Sequence, residues 1–142
     1  MSTKLNPYIN FKSNARAAME FYKSVFGGEL KMNTFKDYHA SQTPAEDNLI
    51  MHSELDAGDG LLFMASDTPE RMEYRAGNNI TMSLSGEDKD GDRLKSYFQK
   101  LSAGGMVSQP LVTAIWGDTF GMCTDKFGIG WLVNIAAKKP EA

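Results

Sequence analysis

Histidine and cysteine, on which most metal and nucleophile sites depend, are scarce in this chain of 142 residues: two of the first and one of the second. A lone cysteine, Cys123, excludes an internal disulfide and agrees with a reducing compartment. It lies in a strand-like stretch, where a small buried hydrophobe is favoured over a catalytic thiol. No apolar run approaches the roughly 20 residues that cross a bilayer, and Met1-Ser2-Thr3-Lys4-Leu5 leads into no apolar signal core. No membrane partner is expected, and the expected location is cytoplasmic. Basic charge is not in excess either, since 15 Lys and Arg meet 18 Asp and Glu for a net charge of −3. Without a Lys and Arg cluster, phosphate backbones have nothing to hold, so nucleic acid is not an expected partner. There is no Gly-rich phosphate loop, Ser-His-Asp order, Cys-x-x-Cys pair or His-Glu-x-x-His helix, which leaves hydrolase and nucleotide-binding readings without support.

What is present fits one compact domain over residues 1–142, with 42% hydrophobic residues to build a core. Residues 7–11 alternate as a strand, with Ile9 and Phe11 on one face and Tyr8 and Asn10 on the other. Residues 13–26 follow as an amphipathic helix carrying Ala15, Ala18, Phe21 or Tyr22, and Val25, with Ser13 or Asn14 to cap its start and Gly27-Gly28 to end it. Strands are then predicted over 29–35, 49–55 and 61–66, the last two joined by Asp56-Ala57-Gly58-Asp59-Gly60. The second half repeats the order: a strand over 79–84, and a helix over 90–102 with Leu94, Tyr97 or Phe98, and Leu101. Gly104-Gly105 stands where Gly27-Gly28 stood, with strands at 105–107, 112–116, 119–123 and 130–135 after it. An internal duplication is the simplest account, with modules over about 5–67 and 79–136.

The polar stretch 67–78 reads as the connector, and residues 37–48 as a second loop that offers little to a core and suits a lid or binding loop. The tail Lys138-Lys139-Pro140-Glu141-Ala142 is expected to fray. Near the C-terminus, Ile115-Trp116-Gly117-Asp118-Thr119-Phe120 forms two apolar strands around a Gly-Asp turn, and Asp125-Lys126-Phe127-Gly128 a second turn into the last strand. This pattern suggests a small β-rich cleft walled by tryptophans.

These segments carry a resemblance. Pro7-Tyr8-Ile9-Asn10-Phe11, Ala17-Ala18-Met19-Glu20-Phe21-Tyr22-Lys23-Ser24-Val25-Phe26-Gly27-Gly28, Met51-His52-Ser53-Glu54-Leu55, Trp116-Gly117-Asp118 and Asp125-Lys126-Phe127-Gly128-Ile129-Gly130-Trp131 occur in order across nearly the whole chain. Together they resemble the PhnB-like branch of the glyoxalase, bleomycin-resistance and extradiol dioxygenase superfamily, also called the vicinal oxygen chelate superfamily. Lys126 departs from it, standing where the family usually has proline. The resemblance implies an α+β fold of paired βαβββ modules whose curved mixed sheets enclose a cleft, often in a homodimer. It also implies a superfamily habit of holding a divalent metal with His, Glu or Gln, in enzymes that isomerise or cleave small molecules. Bleomycin-resistance relatives instead bind a drug without reaction, so membership does not fix activity. Some PhnB-like sequences carry a 3-demethylubiquinone methyltransferase label, but no strand-to-helix glycine loop is present here to hold S-adenosylmethionine.

Placed on this sequence, the superfamily's metal positions fall near Pro7, Thr81 and Leu132, none of which supplies a ligand. What remains is His52-x-Glu54, an imidazole and a carboxylate about 7 Å apart on one strand face. Two readings stand: a general base with its orienting carboxylate, or part of a rearranged metal site, against a half-exposed pair that only bonds its neighbours. His39, in the polar loop, is read as exposed to solvent, with a lid role open if the loop closes. Tyr8 and Asn10 are candidate ligand contacts, as are Trp116 at the rim and its neighbour Asp118. Trp131 is either core beneath a helix or pocket wall. Met51, Met64, Met82, Met106 and Met122 fall in strands, where core filling is the default. The expectation is a small-molecule-binding protein with no resident cofactor. The alternative is a metal-dependent lyase, isomerase or dioxygenase working through His52 and Glu54. A surface serving some other partner has no motif behind it.

Overall fold

The computed structural model describes residues 3–138. The chain divides into two units, the first ending at Ala76 and the second beginning at Gly77. In the first, β1 (Tyr8–Phe11) leads to helix α1 (Ala15–Phe26), then β2 (Glu29–Thr34), β3 (Ile50–Asp56) and β4 (Leu62–Asp67). In the second, β5 (Thr81–Gly86) leads to α2 (Gly91–Ser102), then β6 (Met106–Thr113), β7 (Thr119–Thr124) and β8 (Gly130–Ile135). Each unit is a βαβββ module with a four-stranded mixed sheet, ordered β1-β4-β3-β2 and β5-β8-β7-β6. The pairs β1/β4 and β5/β8 are parallel and the rest antiparallel. A parallel pair needs a crossover longer than a hairpin, and in each module the helix with the two strands after it supplies that length.

Helix α1 buries Ala15, Ala18, Met19, Tyr22, Val25 and Phe26, the i, i+3, i+4, i+7 stripe of an amphipathic helix. Tyr22 rather than Phe21 turns inward, and its ring meets Phe63 of β4 edge-on at 5.4 Å. On α2 the stripe is Gly91, Leu94, Phe98 and Leu101, and Phe98 covers Gly121 of β7, where a Cβ would stand 3.0 Å from its ring. Each large apolar side chain so buried contributes roughly 1.5–3 kcal/mol. The strands answer by alternation. Ile9, Phe11, Ser53, Leu55, Phe63 and Ala65 face α1, and Trp131, Val133 and Ile135 face α2.

Two buried carboxylates tie loops to this framework. Asp67 accepts the N–H of Ala15 at 2.9 Å and that of Ile50 at 2.8 Å, so one side chain caps α1 and holds the start of β3. Asn14 does occupy the position before α1, yet its side chain makes no capping bond. The cap comes from 52 residues away. Asp125 accepts the N–H groups of Phe127 and Ile129 and the indole N–H of Trp131, while Gly128 turns at φ +89°. The turn is held by this carboxylate, so Lys126 in place of the family's proline leaves it intact.

The glycine pairs after the helices serve close approach. A Cβ on Gly28 would run into the Asp56 carbonyl, and one on Gly105 into that of Thr124, so each module packs its helix exit on the end of a later strand. The segments 105–107 and 112–116, read as separate strands, are one strand, β6, with register shifts between Val107 and Gln109 and between Gln109 and Val112. Pro110 is accommodated because β6 is an edge strand, where a missing N–H costs no ladder bond. The loop 37–48 is less detached than its composition suggested. It holds a short 3-10 turn, Pro44–Glu46, and Glu46 is buried against Arg71 at 2.6 Å. Of the C-terminal tail, only Lys138 falls within the described residues.

Asp67→Ala strands two buried N–H groups and should lower unfolding stability by about 2–4 kcal/mol, measured by urea denaturation. Asn14→Ala, which removes no observed bond, should cost under about 0.5 kcal/mol.

Candidate functional site

Because each helix covers one side of its sheet, the other side is where polar or large apolar residues stay accessible. On the first sheet that open face carries Tyr8 and Asn10 from β1, Lys31 and Asn33 from β2, His52 and Glu54 from β3, and Met64 and Ser66 from β4. Their registers bring Tyr8 beside Met64, Met64 beside Glu54, Glu54 beside Lys31 and His52 beside Asn33. The Tyr8 hydroxyl lies 3.2 Å from His52 Nδ1, with the two rings 5.8 Å apart and tilted by 33°. Asn10 Oδ1 accepts the Ser66 hydroxyl at 3.5 Å, the outer limit of such a bond.

A bulge makes this possible. Asn33 pairs with His52 and Thr34 with Ile50, which leaves Met51 as the extra residue. The added residue returns Ile50 to the helix side while His52 keeps the open side, the re-aiming that bulges provide. Met51 is pushed outward and exposed.

On the second sheet the corresponding face sets three large apolar side chains among polar ones. Phe120 and Met122 of β7, Leu132 and Asn134 of β8, and Ser83 and Ser85 of β5 share it, with Phe120 opposite Asn134 and Met122 opposite Leu132. Trp116 is 61% exposed and packs edge-on to Phe120 at 5.6 Å. It sits in the β6–β7 turn, since β6 ends at Thr113 and does not run on to residue 116. Asp118 locks that turn to the last strand, accepting Asn134 Nδ2 at 3.0 Å and the Ala137 N–H at 2.9 Å. These bonds hold its carboxyl below the usual range, the Asn134 bond foremost. At one end of the same face, Ile80, Thr81, Met122, Thr124 and Gly130 line a cavity of about 310 Å³.

The sequence candidates therefore fall into two groups. Tyr8, Asn10, His52 and Glu54 gather on the first sheet's open face, and Trp116 and Asp118 belong to the second sheet. Lys31, Asn33, Met64 and Ser66 escaped sequence reading, as did Phe120, Leu132 and Asn134 as members of a displayed face. Carrying the alternation rule across all four strands would have found them. Trp131 is core, 1% exposed, with its indole N–H held by Asp125. His39 is exposed at φ +54°. The default that strand methionines fill the core fails for Met51 and Met106, 38% and 69% exposed, and for Met64 and Met122 on the open faces.

The superfamily's metal does not fit these residues. Leu132 stands on an open face with no donor atom, Ser83 opposite it offers only a hydroxyl, and Pro7 precedes β1 with its carbonyl given to the Met64 N–H. His52 has Nδ1 engaged by Tyr8, and among the described residues no three His, Cys, Asp or Glu side chains gather to hold an ion.

Comparison with known proteins agrees with this geometry. Residues 3–134 match the model of the family described as 3-demethylubiquinone-9 3-methyltransferase. The chain belongs to this PhnB-like family. Its fold is also that of a solved member of the glyoxalase, bleomycin resistance protein and dioxygenase superfamily from Sphaerobacter thermophilus. The crystal structure of protein PA1353 from Pseudomonas aeruginosa is similar at 34% identity and TM-score 0.82, over 96% of this chain and all of that one. A putative 3-demethylubiquinone-9 3-methyltransferase, PhnB protein, from Bacillus cereus shares the fold at 21% identity and TM-score 0.73, over 94% of this chain and all of its own. Protein YjdN of Escherichia coli is 26% identical over 96% of this chain and 97% of its own length. No helix among the described residues is long and apolar enough to cross a membrane.

Cys123 lies on the helix side of β7, 2% exposed, and burial, helped by the Asp125 charge, pushes its thiol up to about 11. The neutral thiol is thus the folded form. Its contribution to stability is complete below the ordinary thiol range and is lost as pH rises from about 9 through about 11. Iodoacetamide at pH 8 should leave the native protein unmodified and alkylate Cys123 only in denaturant, as read by intact mass.

Proposed function

We propose that this protein binds a small organic molecule on an uncovered sheet face and holds no resident metal. The observation that carries this reading is the pairing of an exposed, edge-stacked Trp116 with Phe120, Met122 and Leu132 on a face that no helix of its module covers. Apolar side chains are ordinarily withdrawn from water, and a displayed row beside a cavity marks a recognition surface. Each sheet is taken by itself: the first offers Tyr8 and Asn10 as hydrogen-bonding contacts, and the second offers Trp116 as an aromatic wall with Asp118 as its support. His52 and Glu54 are the groups available for proton transfer, should the bound molecule react. The family's methyltransferase description gains no support from the fold. Neither sheet is a doubly wound parallel one, and each strand-to-helix passage lacks the glycine loop that cradles a nucleotide cofactor. The resemblance favours a homodimer, and the lone cysteine agrees with a cytoplasmic setting.

The deciding experiment is a thermal-shift screen of planar antibiotics and hydrophobic metabolites, with elemental analysis of protein purified without chelator or metal-affinity tag. A true ligand at a hundred times its dissociation constant should stabilise the fold by about 2.7 kcal/mol. It should also change the fluorescence of exposed Trp116, and Trp116→Ala should weaken binding about tenfold or more. A panel with no binder would remove most support for the proposal. About one metal per chain, lost in His52→Ala, would replace it with a metal-dependent lyase, isomerase or dioxygenase.

A further inference from the structure

The open face of the second sheet is uncharged. Asn134 pairs with Ser85 on one side and Phe120 on the other, and Leu132 with Ser83 and Met122. The edge strand adds Val112 opposite Phe120 and Gln109 opposite Met122. The cavity of about 310 Å³ at one end of this face has no Asp, Glu, Lys, Arg or His among the described residues that line it. On the first sheet the equivalent face holds Lys31, Glu54 and His52. An ion laid on the second face would give up water and meet no opposite charge in return, whereas a neutral group gives up far less.

On this face the amide of Asn134 has a fixed orientation. Its Nδ2 donates to Asp118 Oδ2 at 3.0 Å, while Asp118 Oδ1 accepts the Ala137 N–H at 2.9 Å. The same two bonds hold the Asp118 carboxyl below its ordinary range, so at neutral pH it is ionised and can only accept. A flipped amide would set Oδ1 against that carboxylate, two acceptors with no proton between them. Nδ2 is therefore committed to Asp118, and Oδ1 is left as an acceptor that no hydrogen bond from the described residues engages. Phe120 stands opposite Asn134, with Trp116 edge-on to it at 5.6 Å. A single oriented acceptor thus lies beside an aromatic pair.

We infer that the second sheet recognises an uncharged planar aromatic molecule that donates a hydrogen bond, from an N–H or O–H, to Asn134 Oδ1, with Asp118 as the positioning residue that sets the amide. This rests on the small-molecule reading above, assigns it to one sheet and names the ligand's chemistry. The Ser83 and Ser85 hydroxyls donate or accept alike, so the demand for a donor comes from Asn134. A carboxylate would face both the Asn134 oxygen and the Asp118 charge. An ammonium group would find that charge already engaged by two donors.

The test titrates indole probes into the full chain at neutral pH, with affinity read by calorimetry and the side-chain amide of Asn134 followed by NMR. Indole should bind about fivefold more tightly than 1-methylindole, which has the same ring and no N–H, and should move the Asn134 amide signals. Indole-3-acetamide should bind at least about tenfold more tightly than its anionic and cationic counterparts, indole-3-acetate and tryptamine. Asn134→Ala should erase the preference for indole and leave 1-methylindole bound as before. Asp118→Asn should shrink that preference, because the Asn134 amide can then turn. A merely structural role for either residue would weaken both probes alike and leave their ratio unchanged. Should a variant fail to fold, the comparisons in the unaltered chain still decide. Equal binding of indole and 1-methylindole, a charged probe binding as tightly as indole-3-acetamide, no binding of any probe at millimolar concentration, or an unchanged ratio in Asn134→Ala would each overturn the inference. The binding proposal is judged separately, by the ligand screen and the Trp116 response.

Discussion

A strand has two sides, and in each module of this protein one helix covers only one of them. That constraint governs the rest. It drives Tyr22, Phe63, Leu55 and Phe11 together in the first unit, and Leu94, Phe98, Trp131 and Val133 in the second. The same alternation leaves Tyr8, His52 and Glu54, or Phe120, Met122 and Leu132, on the side that no helix of the module reaches. Stability and recognition are thus divided by residue parity, and a one-residue slip of any strand would exchange them. The bulge at Met51 shows the rule under tension, since one inserted residue lets Ile50 serve the core while His52 serves the open face.

The two modules share a plan and differ in what they display. Each runs strand, helix and three strands, with its helix exit packed on backbone through a glycine, Gly28 or Gly105. Their open faces have diverged into a polar set with a hydrogen-bonded Tyr8–His52 pair and a set led by the aromatic Phe120 and Trp116. Divergence of this kind costs the core little, because side chains on the open face make no contact with the helix beneath. The fold therefore says little about chemistry.

Local rules determined much of this from the sequence. Both amphipathic helices, the order of the elements, the duplication and the sides taken by Tyr8, Asn10, Ile9 and Phe11 follow from periodicity, because a 3.6-residue or two-residue repeat is imposed by a single element's own geometry. The choice between Phe21 and Tyr22, or between Tyr97 and Phe98, needed the facing sheet. So did the cap of α1, which the adjacent Asn14 does not provide and the distant Asp67 does. The buried Glu46 in a polar loop was misleading for the same reason: an arginine partner is a property of the assembled module.

The site divides along the same line. Residue spacing alone put His52 and Glu54 on one face, and the family resemblance exposed the lack of ligands near Pro7, Thr81 and Leu132. The tertiary structure alone brought Tyr8 to within 3.2 Å of His52 across 44 residues, set Lys31 opposite Glu54, and lodged Trp116 in a turn against Phe120. Local periodicity decides which way a side chain points. Which partner it meets is decided by strand order and register, which depend on the burial of the whole sheet at once.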